Sequence, residues 1–261
     1  MTQLRLDRPD GTTLIADVRD GHGTPVVLVH GVLSDADSWR PVADKIDLPN
    51  PVITMNRRGR APSGPLGEGY SLRTELDDLH HVLDSIGEPA VLFGHSYGGL
   101  IAQELAVERR DLRALVLYEP VVRPFGRECQ VRIREAIQRG DLDGALEIVS
   151  VDISRLSPAD VAELRESEHW QLLRPLAAAV GEELRAIDEH EPSFDEYAGF
   201  DVPVTLLLGD RNDGIPPYGT AFAEVAEAVP QAKVVHLRDQ GHLAHVEGPE
   251  AIAAEISAAV P

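Results

Sequence analysis

The sequence predicts an α/β domain: a mostly parallel, doubly wound sheet with an inserted helical lid. Three observations carry that expectation. Short apolar runs recur at residues 25–29, 52–55, 90–93, 114–118 and 204–208, with 233–237 as an edge strand, and they are continuous rather than alternating. A strand covered on both faces reads this way, whereas a strand with one wet face alternates. Helical patterns at residues 38–46, 71–86, 98–108, 218–228 and 249–260 separate or follow these runs, so strand and helix take turns along the chain. Residues 125–200 break the rhythm with helical segments at 128–139, 142–150, 157–165 and 170–190 and no strand. The expected division is a core of residues 1–124 and 201–261 carrying a helical cap of residues 125–200, set over the strand ends where ligands bind in open sheets.

Composition narrows the function classes. A chain of 261 residues, 43% hydrophobic and 26% charged, buries a full core and has neither a disordered nor a fibrous bias. Asp and Glu number 44 against 24 Lys and Arg, a formal charge of -20, which repels phosphate backbones and anionic headgroups. No nucleic acid and no membrane partner is expected. The opening Met1-Thr2-Gln3-Leu4-Arg5-Leu6-Asp7 lacks the basic start and apolar run of a secretory signal, and no apolar stretch approaches a bilayer span of about 20 residues. A cytoplasmic home is expected, and Cys129, the single cysteine, forms no internal disulfide.

Three turns carry chemistry. His30-Gly31-Val32 follows the first apolar run, where the Val32 amide is placed to join the Tyr97 amide as an oxyanion hole. Gly94-His95-Ser96-Tyr97-Gly98 fits G-x-S-x-G directly after an apolar run and directly before a helical pattern. That context gives the spacing its physical reason: the glycines let backbone segments crowd together, so the Ser96 hydroxyl stands on a strained turn at a helix N-terminus. Gln240-Gly241-His242-Leu243-Ala244-His245 follows the last strand and puts His242 on a loop free to reach a serine as general base. His245 is three residues on, but no third ligand accompanies the pair, so neither metal nor cofactor is expected.

With these turns in order the chain resembles the α/β-hydrolase superfamily over nearly its whole length. The segment Asn56-Arg57-Arg58-Gly59-Arg60-Ala61-Pro62-Ser63 is similar to the family's D-x-R-G-x-G-x-S loop, with Asn56 for Asp and Ala61 for Gly, and Gly241-His242 is followed by Glu247 and Pro249. The resemblance implies the α/β-hydrolase fold and a triad of Ser96, His242 and a carboxylate. Counting from Pro203 brings Asn212 to the usual acid position, flanked by Asp210 and Asp213; Glu119, at the end of the 114–118 strand, is the second supplier, as in the haloalkane dehalogenases. Glu119, Asp213 and Asp210 all stay open.

The expected activity is hydrolysis of a small-molecule ester through an acyl-enzyme on Ser96. Lactones, thioesters and diketone C–C bonds are neighbouring serine chemistries. A serine elbow excludes the aspartate chemistry of dehalogenases and epoxide hydrolases. Cofactor-free oxygenation or perhydrolysis and a non-catalytic ligand-binding protein are the rivals. Trp170, Phe125 and Leu173 are candidates for either pocket or core, and Arg57 and Arg58 read as solvated loop residues rather than binding residues.

Overall fold

A computed structural model describes residues 2–261. Eight strands form one sheet in the order β1-β2-β4-β3-β5-β6-β7-β8: β1 (Thr2–Asp7), β2 (Thr13–Arg19), β3 (Val26–Val29), β4 (Val52–Asn56), β5 (Val91–His95), β6 (Ala114–Tyr118), β7 (Val204–Gly209) and β8 (Lys233–Leu237). From β4 to β8 every pairing is parallel; β2 runs antiparallel to both β1 and β4. The β1–β2 hairpin is an addition to the expected strands. Its outer strand alternates exposed and half-buried residues, so it offers no continuous apolar run.

Helices α1 (Ala36–Lys45) and α12 (Pro249–Ala259) cover one face, and α2 (Leu72–Ile86), α3 (Tyr97–Glu108) and α10 (Tyr218–Ala228) the other. Strand β3 shows why its run is continuous: Val27 and Val29 join the core under α2 and α3, while Val26 and Leu28 join the core under α1 and α12. Both faces of the pleat are dry.

Between β6 and β7 lie only helices: α4 (Gln130–Gln138), α5 (Leu142–Ile148), a π-helical turn (Val149–Ile153), α6 (Pro158–Arg165), α7 (Glu168–Leu176), α8 (Val180–Glu189) and α9 (Phe194–Tyr197). Ser157 caps α6 through the Asp160 amide, with Pro158 in the first turn, where its missing N–H loses no bond. A short helix, α11 (Ala244–Glu247), follows the β8 loop. No helix among the described residues is long and apolar enough to cross a membrane.

Charge ties the helical segment to the sheet. Arg57 pairs with Glu75 of α2 at 2.7 Å and with Glu183 of α8 at 2.5 Å, Arg60 pairs with Glu183 at 2.7 Å, and all four side chains are fully buried. Arg58 is bound by Asp78 of α2 at 2.6 Å and is likewise buried. These arginines are therefore not solvated, contrary to expectation. Partners 18 and 126 residues away along the chain make their burial tolerable, because an unpaired charge in this core would be prohibitive.

Candidate active site

The expected site residues gather at the C-terminal ends of the strands. Ser96 directly follows β5 and begins α3 with φ 57° and ψ -119°. A non-glycine residue holds this conformation only when its surroundings over-determine it. They do: a Cβ on Gly98 would lie 2.2 Å from the Val29 carbonyl oxygen, so the turn closes only with glycine there. Leu33 (φ 52°) and Glu119 (φ 43°) also have positive φ, so three of the five such non-glycine residues among the described residues are Ser96 itself, a neighbour in the cavity wall and the partner of His242.

Glu119 follows β6 and is fully buried. Its Oε2 accepts a 2.6 Å hydrogen bond from His242 Nδ1. Its Oε1 accepts from the Gly209 amide at 2.9 Å, and Asn212 Nδ2 donates to both oxygens at 3.0 and 2.8 Å. The two places expected to supply the acid thus meet, with a carboxylate from one and an amide from the other. Asn212 donates where a second carboxylate could only repel. Asp213 is exposed and makes no hydrogen bond or ion pair through its side chain among the described residues, and exposed Asp210 faces His236 at 3.4 Å.

The loop bearing His242 is tied to the sheet by its backbone. His95 Nε2 donates to the His242 carbonyl at 3.0 Å, and the Tyr118 hydroxyl donates to the Gly241 carbonyl. The His242 ring stacks on Tyr218 at 3.6 Å and 12° and also contacts the ring of His95, tilted by 39° at 4.5 Å. With Nδ1 engaged by Glu119, Nε2 has no hydrogen-bond partner among the described residues, and neither has Ser96 Oγ. Ser96 and His242 line the same cavity but are not hydrogen bonded to each other; in unliganded enzymes such contacts are often long and tighten on substrate binding.

That cavity measures about 120 Å³. Its far wall comes from the helical segment, including Leu146, Val149, Ile153, Leu164, Leu173 and Leu184, and a π-helical turn contributes two of them. Phe125 and Leu173 are pocket residues, whereas Trp170 is not: it is buried with its indole N–H on Asp143 at 2.8 Å. No Asp, Glu, Lys or Arg among the described residues lines the cavity, and no group of three metal-binding side chains occurs among them. The amides of Val32 and Tyr97, the expected oxyanion donors, have no protein hydrogen-bond partner among the described residues, and Val32 lines the cavity.

Three histidines around the site are buried and neutral. Burial, reinforced by the Arg57 and Arg60 guanidinium groups, holds His30 well below its ordinary value; burial, with His242 and His245 beside it, does the same for His95. His245, stacked on Trp39 at 4.8 Å, is lowered to about 3, chiefly by burial. An unfolded histidine takes up its proton near pH 6.5, so between pH 6.5 and about 3 the unfolded chain binds the proton that folded His245 refuses, and stability falls as pH falls. His245→Phe, which keeps the stack, is expected to flatten the unfolding free energy against pH by up to about 1.4 kcal/mol per pH unit below pH 6. Equal slopes in denaturant titrations of the two proteins would show that His245 charges within the fold.

A strained serine elbow, a carboxylate-bound histidine and a helix-walled cavity at the ends of a parallel sheet define an α/β-hydrolase-fold protein. The sequence model described as "Alpha/beta hydrolase family" matches residues 26–255, and the chain belongs to that family. It is 26% identical over 243 residues to the (E)-2-((N-methylformamido)methylene)succinate hydrolase of Acinetobacter baylyi, covering 89% of this chain and 88% of that one. It is 34% identical over 106 residues to the uncharacterized hydrolase YraK of Bacillus subtilis, a match spanning 39% of each chain. Among solved structures, an alpha/beta hydrolase from Sphaerobacter thermophilus superposes with a TM-score of 0.84 at 24% identity, covering 99% of this chain and 100% of that one.

Proposed function

We propose that this chain is a serine hydrolase of small uncharged esters, with residues 125–200 as the cap over its acyl pocket. The Glu119–His242 pair and the strained Ser96, which lines the same cavity as His242 with no Asp, Glu, Lys or Arg among the described residues of its wall, carry this reading. Ser96 Oγ attacks the ester carbonyl as His242 Nε2 takes its proton. Glu119 keeps the other proton on Nδ1 and fixes the ring plane, the role a triad acid plays. Amides of Val32 and Tyr97 receive the oxyanion, His242 returns its proton to the leaving alcohol, and water then releases the acid.

The cavity also bears on the substrate. The Acinetobacter relative is named for a succinate, a dianion at neutral pH, but a carboxylate in this cavity would meet no Lys or Arg among the described residues, only histidines such as His169 at its wall, and burying it without a full partner costs several kcal/mol. Since a cavity of about 150 Å³ takes a benzene-sized ligand, this one holds on the order of five non-hydrogen atoms. Against p-nitrophenyl esters of graded length, kcat/KM is expected to rise roughly fourfold per methylene and to fall beyond about five acyl carbons. Succinyl half-esters are expected to be at least about tenfold poorer than uncharged esters of equal length. Lactones, thioesters and diketones belong in the same panel. Preference for the charged half-ester would overturn the assignment, and activity surviving Ser96→Ala would favour cofactor-free oxygenation or perhydrolysis. A chain that binds esters without a Ser96 adduct from a fluorophosphonate would be a binding protein.

A further inference from the structure

Arg57 is fully buried, borders no part of the cavity, and still spends its donors on the loop beside Ser96. Its Nε donates to the His30 carbonyl at 3.0 Å and its Nη2 to the Gly31 carbonyl at 3.0 Å, while its own amide donates to His30 Nε2 at 3.3 Å. That last bond makes Nε2 an acceptor and leaves the ring proton on Nδ1, which donates to the same Gly31 carbonyl at 2.9 Å. One peptide oxygen is therefore held from two sides.

The peptide joining Gly31 to Val32 is trans, so its N–H points away from its C=O. Holding the Gly31 oxygen against buried Arg57 turns the Val32 N–H to the opposite side, where Val32 borders the cavity. This peptide lies hard against the elbow, since a Cβ on Gly31 would come 2.8 Å from the Ser96 Cβ. Arg57 also lies over the ring of Tyr97, whose amide is the other expected oxyanion donor, at 4.9 Å.

We infer that Arg57 and His30 are positioning residues that clamp the Gly31 carbonyl and thereby aim the Val32 amide at the oxyanion. The inference rests on the serine-hydrolase reading above. Charge is not the agent, because two arginines, 57 and 60, face two glutamates, 75 and 183, within the buried cluster. What matters is the forked geometry, which lysine lacks. Because Glu183 comes from α8, the inserted helices help to hold the clamp in place.

The test compares Arg57→Lys, His30→Leu and His30→Asn with wild type, using a p-nitrophenyl ester for kinetics and a slowly deacylating ester with a 13C-labelled carbonyl for infrared spectra of the Ser96 acyl-enzyme. Arg57→Lys keeps the charge without the fork; His30→Asn keeps a donor at the Nδ1 position, and His30→Leu removes it. For Arg57→Lys and His30→Leu the expected result is a kcat lowered about 10- to 100-fold with KM changed less than about threefold, and an acyl carbonyl band moved to higher frequency as its hydrogen bonds weaken. His30→Asn is expected to recover most of both. Folded Arg57→Lys and His30→Leu proteins with wild-type kcat and an unshifted band would overturn the clamp. Should Arg57→Lys fail to fold, the His30 pair decides, since it acts on the same oxygen. A wild-type protein that forms no Ser96 adduct with a fluorophosphonate would remove the serine-hydrolase reading and this inference together, whereas an adduct with unshifted bands removes the clamp alone.

Discussion

Ser96→Ala is expected to lower kcat for a neutral p-nitrophenyl ester by at least about ten-thousand-fold, and His242→Ala to do the same. The double variant should be hardly worse than either single one, because nucleophile and base act as a unit and the residual rate comes from the oxyanion donors and binding alone. Ser96 is 5% exposed and alanine fills the same turn, so the variant should fold and still bind ester. Its KM, or the inhibition constant of a non-hydrolysable ether, separates lost chemistry from lost structure. Mass spectrometry after fluorophosphonate treatment should place the adduct on the Ser96 peptide of wild type and nowhere in the variant. Turnover within about tenfold of wild type in either single variant would dismiss the mechanism.

Glu119→Gln should have the next largest effect, lowering kcat by about a thousandfold or more, as when a triad acid becomes an amide. The site shows why a near-isosteric change is so disruptive. Glu119 accepts four hydrogen bonds, from Gly209, twice from Asn212, and from His242. A glutamine amide has one oxygen and one NH2, so at least one donor must face another donor. Either Asn212 and Gly209 lose their acceptor, or His242 must switch its proton to Nε2, the nitrogen needed as base. Leaving one buried donor unpaired costs about 1–3 kcal/mol, so the midpoint of denaturation should fall as well. Asp213→Asn and Asp210→Asn, on an exposed turn, should leave kcat within about twofold of wild type, as surface changes usually do. A deficit in Asp213→Asn as deep as that of Glu119→Gln would return the role to the aspartate.

Local pattern carried much of this protein. Continuous apolar runs and the helical patterns between them mark β3 to β7 and the helices that cover them, because burial on both faces of a strand is written in consecutive residues, while β8, an edge strand with only Leu237 buried, follows from its short β-branched run alone. The elbow was legible for a similar reason: a strand, a glycine-flanked serine and a helix are contiguous in sequence, and so are the last strand and the loop bearing His242. The β1–β2 hairpin was not legible by that signal, since half-wet antiparallel strands alternate and their short polar segments resemble loops.

What the residues alone determined, then, is the order of the elements and the placing of Ser96 on the elbow and His242 on the last loop, for these depend on neighbours in sequence. Only the tertiary structure decided which carboxylate meets His242, because Glu119, Asn212 and His242 are brought together across 93 and 123 positions by three different strand ends. It also turned Arg57 from a loop charge into a buried ion pair, through glutamates at 75 and 183 that no local pattern links to it. The reason is physical: hydrophobic periodicity is a property of one segment, whereas the pairing of buried polar groups is set by the few angstroms between segments after they pack.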